Sequence, residues 1–217
     1  MDIKYKIENV SEYIFSLKIN HEEDEINKIM YQMLNNIIKN SFYNENSIFF
    51  TAESVKDLKS FIFEYKNNIL PEKKCIKMID DLSKQIIYLR KNNYSFSGFE
   101  INDIIVIDNN NFIICNTEFL FPLIEDNIIF YLPIKKPYFF NPEIIKIDEL
   151  PSQINYKCSY YSLGVLIIFC LTNKYILKAN SEEEIEAEFE FIKDTKMYWF
   201  LKRCLNSNTE KRELLLI

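Results

Sequence analysis

Glycine is nearly missing from this chain. Among 217 residues only Gly98 and Gly164 occur, and none precedes position 98. A loop of the G-x-G-x-x-G kind, in which backbone without Cβ atoms approaches phosphate oxygens, is excluded from everything before Gly98. Histidine is as scarce: His21 stands alone and reads as a solvent-facing residue near a helix start. There is no basic excess, since 26 Lys and Arg face 32 Asp and Glu for a net charge of −6. A nucleic-acid partner, which usually requires a basic surface, is not expected. The five cysteines are odd in number, widely spaced and form no C-x-x-C pair, so neither a zinc site nor a disulfide framework is indicated. Buried thiols in a reducing compartment are expected instead. The first residues carry no apolar run of signal-peptide type. The longest apolar stretch, Tyr160 to Leu171, has 12 residues, and a membrane span needs ~20. No membrane partner is expected, and a cytoplasmic protein, with a nuclear one as the alternative, is the expected localisation.

What is present has an ordinary globular balance, 48% hydrophobic and 27% charged, enough to bury a core as one compact unit. Ile, Asn and Lys are abundant, the bias of a genome rich in A and T, such as that of a large DNA virus or a reduced parasite. Alternation predicts strands over 3–7 and 12–19. From Glu22 to Lys39, apolar residues at three- and four-residue spacing predict a helix, with the acidic run Glu22 to Glu25 at its positive end. A strand is predicted over Ser47 to Ala52 and a helix over Val55 to Tyr65. Pro71 opens a further helix reaching Lys91. The runs at 104–108 and 111–115 flank Asn109 and Asn110 and predict a hairpin. Residues 116–142 read as irregular, and helices are expected at 158–172, 181–193, 195–205 and 208–216. The layout is α+β, a strand-bearing first quarter followed by a mostly helical remainder.

Four segments in order resemble the eukaryotic-type protein-kinase fold. SYYSLGVLIIFCLTN (159–173) resembles the long buried helix that begins D-x-W-S-L-G-V. FFNPEII (139–145) resembles the segment ending A-P-E. FLKRCLNSNTEKR (200–212) resembles the last helices, and IFFTAESVKDLKSFI (48–62) resembles the strand, hinge and first helix of the large lobe. The resemblance implies a bilobal fold, with a truncated N-terminal β lobe over 1–53 and a helical C-terminal lobe over 54–217. It also implies an architectural ion pair between Glu143 and Arg212, and a lobe junction with Ala52 in the gatekeeper place and the hinge near Glu53 and Ser54, whose backbone could still meet a purine.

Set beside that family, the chemistry is missing. Phosphoryl transfer needs a phosphate cradle, a lysine, metal ligands and a catalytic aspartate. The stretch matching H-R-D-L-x-x-x-N runs from Phe96 to Asp103, so Gly98 takes the place of the base and Asp103 that of the metal-binding Asn. Asn116 takes the place of the D-F-G aspartate, with Glu118 two residues on, and Ser159 replaces the aspartate that opens the buried helix. FSLK (15–18) resembles V-A-I-K, which gives Lys18 and Glu25 as the residual ion pair of a nucleotide site, or else as two exposed charges. No Ser or Thr lies between Glu118 and Pro151, so only Tyr131 and Tyr138 could be phosphorylated there. The apolar run 119–134 either packs on its own helical part or docks a partner. These losses imply a pseudokinase: no catalysis, no cofactor, ATP binding not expected, and a role as a protein-binding scaffold or regulator, with an atypical nucleotide-binding or weakly active kinase as the alternative.

Overall fold

The computed structural model describes residues 5–44, 46–176 and 181–216, and it is α+β. β1 (Tyr5–Ser11) and β2 (Ile14–Ile19) form an antiparallel pair. The strand expected over 3–7 therefore runs on to Ser11, and its residues 3 and 4 lie outside the described residues. α1 (Asp24–Ile37) opens on Asp24 and Glu25 and buries Ile26, Ile29, Met30, Met33 and Leu34, the stripe that the spacing predicts. β3 (Phe42–Asn44) and β4 (Ser47–Thr51) complete an antiparallel sheet ordered β1-β2-β4-β3. Where β2 outruns β4, the Tyr31 hydroxyl of α1 takes over the bonding. It accepts the Ile19 N–H at 2.8 Å and donates to the Asn46 carbonyl at 2.5 Å.

The helix expected over Val55 to Tyr65 is a strand followed by a short helix, β5 (Val55–Asp57) and α2 (Leu58–Phe63). The Asp57 carboxylate accepts the Ser60 N–H at 2.7 Å, which starts the helix at Leu58 and leaves 55–57 extended to pair with a later strand. α3 (Glu72–Lys91) follows Pro71 and is the central support, packed against α1 and three later elements. β6 (Tyr94–Phe96) leads into the loop 97–103. The hairpin β7 (Ile104–Ile107) and β8 (Asn111–Ile114) then turns through Asp108 and Asn109, both at positive φ. Gln85 of α3 is fully buried and matched to β8: its side chain donates to the Phe112 carbonyl at 2.7 Å and accepts the Ile114 N–H at 2.8 Å.

The stretch 116–142, expected to be irregular, contains β9 (Leu120–Pro122), paired with β6, and β10 (Asn127–Phe130). α4 (Pro142–Ile145) follows, and β11 (Ser152–Asn155) pairs with β10. The apolar run 119–134 divides: Phe119, Leu120, Ile128 and Phe130 are buried, with Ile128 and Phe130 in a small cluster with Ile154 and Cys158, whereas Ile124, Tyr131 and Leu132 are exposed. α5 (Cys158–Thr172) is buried from Cys158 to Leu171, and α3 packs along it. The helix expected over 181–193 is interrupted. α6 (Glu182–Ala187) is capped by Ser181, then the chain kinks at buried Phe189 into a 3-10 turn. α7 (Lys196–Cys204) follows. The helix expected over 208–216 does not form. A 3-10 turn over 209–211 gives way to extended backbone at Arg212, which carries the tail across the core. Among the described residues no helix is long and apolar enough to cross a membrane.

Candidate functional site

The loop 97–103 joins β6 to β7, and its carboxylates are hydrogen-bonded, whereas the buried Ser97 hydroxyl has no partner. The Asp103 carboxylate is 3% exposed. One oxygen accepts the Glu100 N–H at 2.6 Å, and the other accepts the Asn116 side-chain N–H at 2.7 Å. Asn116 then accepts the Glu118 N–H at 3.1 Å. Burial pushes the Asp103 carboxyl up to about 7, against the two hydrogen bonds, which favour the ionised form. Asp103 and Asn116 thus meet as acceptor and donor. The Asn116 nitrogen stands between them, and a divalent cation, which needs several oxygens in one shell, would have to displace it from Asp103. Glu118 is turned elsewhere, held by Lys135 at 3.0 and 3.1 Å.

Tyr5 crosses from the sheet into this region. Its hydroxyl donates to the Asn102 carbonyl at 2.9 Å. Burial, reinforced by the nearby Cys115, Asp57 and Asp103, pushes its phenol above the ordinary tyrosine range. The link between sheet and helices is tied off as well. The Asp108 carboxylate accepts the N–H groups of Glu53 and Ser54 at 2.7 and 3.0 Å, and the Ser54 carbonyl accepts the Asp108 N–H at 2.9 Å. The backbone donors that the sequence leaves free to meet a purine are already occupied.

Gly98 has a packing reason. A Cβ there would lie 2.2 Å from the Pro137 ring and 3.1 Å from the Phe139 carbonyl. The segment around Pro137 is drawn against the loop by two backbone bonds between Phe99 and Phe139, at 3.0 and 3.3 Å. Asn141, fully buried, donates to the Ser97 carbonyl at 2.6 Å and to the Ser162 hydroxyl at 3.2 Å. It anchors the loop backbone to α5. The Ser159 hydroxyl donates to the Tyr156 carbonyl at 2.8 Å and accepts from the Ser95 hydroxyl of β6 at 3.4 Å.

Lys18 and Glu25 are not brought to this place. Leu17 and Ile19 carry the buried face of β2, whereas Lys18 is exposed and stands across from Lys6 of β1. Glu25 is exposed in the first turn of α1. Among the described residues no ion pair joins them. Lys18 instead lines a cavity of about 1010 Å³ along α1, with Tyr31 and Tyr43, to which neither Asp103 nor Asn116 contributes.

Glu143 and Arg212 meet at the far side. Arg212 Nη2 lies 2.7 Å from Glu143 Oε1, with the guanidinium fully buried. The approach is Coulombic rather than an aligned hydrogen bond. The aligned bonds are those from Thr209 Oγ1 to Glu143 (2.7 Å) and from Arg212 Nε to the Asn206 carbonyl (2.7 Å). The guanidinium also lies over the Tyr161 ring, 4.9 Å from its centroid.

The chain matches no protein-family model and no curated protein. Four residues that shape the region were missed in sequence: Tyr5, Asp108, Pro137 and Asn141. Only Asn141 left a local signal, an Asn before Pro at a helix start. It caps α4 through the Ile144 N–H at 2.9 Å.

Proposed function

We propose that the chain is a degenerate protein-kinase fold without phosphotransfer, a pseudokinase that acts by binding another protein as a scaffold or regulator. The observation that carries this is the 2.7 Å hydrogen bond between Asp103 and Asn116, the two positions that the resemblance assigns to metal binding. Side chains bonded to each other in this way are poor candidates for gathering a metal–nucleotide complex. Support for the fold comes from the order of elements. Two strands, a helix and two strands build one sheet, and a helical part with a fully buried central helix follows. The Glu143–Arg212 contact is the tie that the family resemblance implies. The cleft contents agree with a non-catalytic role: Tyr5 inserted, the Glu53 and Ser54 donors occupied, and Pro137 against Gly98. A protein partner is favoured by Tyr131 and Leu132, 69% and 74% exposed just beyond β10.

The test is a thermal melt with millimolar ATP, with magnesium and then with EDTA. A ligand bound only by the folded state at a hundred times its dissociation constant adds ~2.7 kcal/mol. An unchanged midpoint is expected. A magnesium-dependent rise, with label transferred from γ-phosphate to a protein acceptor, would replace this reading with that of an atypical kinase. The partner surface is checked by affinity capture with the Tyr131→Ser, Leu132→Ser double variant, which should keep the melt and lose the bound protein.

A further inference from the structure

A second cavity, of about 400 Å³, opens between α2 and the chain that follows Pro137. That volume suits a small ligand. Five of its eleven lining residues are aromatic. Tyr138, Phe139, Phe169 and Tyr175 pack ring on ring, with centroids 4.5 to 6.0 Å apart. Phe63 of α2 adds a further ring. Phe63, Tyr138 and Tyr175 are 59%, 61% and 49% exposed, which is unusual for large rings lining one hollow.

Glu100 reaches the same cavity while only 5% exposed. Its carboxylate accepts the Tyr138 N–H at 3.2 Å and caps the Asp103 N–H. Among the described residues no Lys or Arg forms an ion pair with it. Lys135, the cation whose charge acts on it, is engaged with Glu118. A buried carboxylate beside aromatic faces, without a cation of its own, is a negative site waiting for a positive ligand.

We infer that this cavity binds a methylated ammonium cation. The ring faces attract positive charge and the carboxylate balances it. The same geometry argues against a primary ammonium or a guanidinium. Those groups bring three or five N–H donors, and two of the carboxylate's roughly four acceptor sites are already given to backbone N–H groups. A methyl-covered cation asks for charge and surface without hydrogen bonds. Lys59 also lines the cavity, its Nζ 5.9 Å from the Phe63 centroid, and competes for the rings. This inference goes beyond the pseudokinase reading and is unaffected by the fate of nucleotide.

The experiment is a titration of the full chain, followed by calorimetry and NMR, with three probes. They are choline, the amide of Nα-acetyl-Nε-trimethyllysine, and 3,3-dimethyl-1-butanol, the neutral carbon isostere of choline. At least one cation should saturate, with the isostere about tenfold weaker or worse. Choline alone would identify a free small cation as the ligand class, and trimethyllysine alone a methylated protein tail. Tyr138→Ala and Phe63→Ala should each weaken binding severalfold, and Lys59→Ala should tighten it. Glu100→Gln should abolish the preference for the cation over the isostere. If that variant lowers the melt, the two exposed-ring variants and the isostere carry the test. Equal binding of cation and isostere, or no saturation by either cation at ~10 mM, would overturn the inference.

Discussion

Pro137 fills the space where residue 98 would carry a side chain, its ring 2.2 Å from the Cβ position of Gly98. The bare backbone at residue 98 and the position of the following segment are one packing arrangement. On the proposed pseudokinase reading, an acid introduced by Gly98→Asp should yield no phosphotransfer. It should cost about 1–3 kcal/mol through overpacking, each kcal/mol lowering Tm by ~2–4 °C at this chain length. A melt together with a γ-phosphate transfer assay checks both halves. The double variant Gly98→Asp, Pro137→Ala should recover much of the lost stability, because the ring that clashes is gone.

Asp103 gives the protein a pH dependence of definite sign. Its carboxyl is pushed from 3.8 up to about 7 chiefly by burial, so between those values the folded chain holds more protons than the unfolded one. The associated stability is complete below the unfolded value and is lost as pH rises through about 7. Glu100, raised for the same reason, adds in the same direction. Urea denaturation at several pH values should show stability falling from about pH 4 to about pH 7. Asp103→Asn should flatten that fall without abolishing it. A wild-type curve that rises over the window would contradict the assignment.

Among the described residues Arg212 is the largest fully buried side chain and the only buried cation. Arg212→Ala leaves Glu143 without its charge partner and should cost about 3–5 kcal/mol in urea denaturation. Arg212→Lys should fall between, since it keeps charge but loses the Nε bond to Asn206 and the planar contact with Tyr161.

Tyr5→Phe removes one hydrogen bond and should cost about 0.5–1.5 kcal/mol. Its distinguishing readout is local. Amide hydrogen exchange should quicken around Asn102 while α5 stays protected, because the lost bond joins the sheet to that loop alone.

Elements that declare themselves by local pattern were legible. α1 and α3 carry apolar residues at helical spacing, α5 is apolar on all sides, and the β7–β8 turn is marked by Asn. Boundaries set by a distant partner were not. Residues 55–57 look helical until Asp57 caps α2 and β7 offers a strand edge. The 208–216 tail has helical composition, yet burying Arg212 and extending Leu214 and Leu216 over the core outweighs propensity. The ends of the Glu143–Arg212 contact were legible because both lie in segments that resemble kinase motifs. The closure of the loop was not, since Tyr5, Asp108 and Pro137 act through contacts that no neighbouring residue encodes. Lys18 and Glu25 are the two exposed charges that the sequence left as the alternative to an ion pair. A strand alternates, and one residue of register decides whether a lysine faces the interior or water.

The bond between Tyr5 and Asn102 spans 97 positions, and this separates two events in the life of the nascent chain. β1 and β2 are neighbours in sequence and can pair as soon as both have left the ribosome. The tyrosine that they carry has no acceptor until the loop arrives, several seconds later at ~5–20 residues per second. During that interval the sheet exposes an apolar face that the finished molecule hides, so a chaperone would meet this chain most readily between the emergence of β2 and that of the loop.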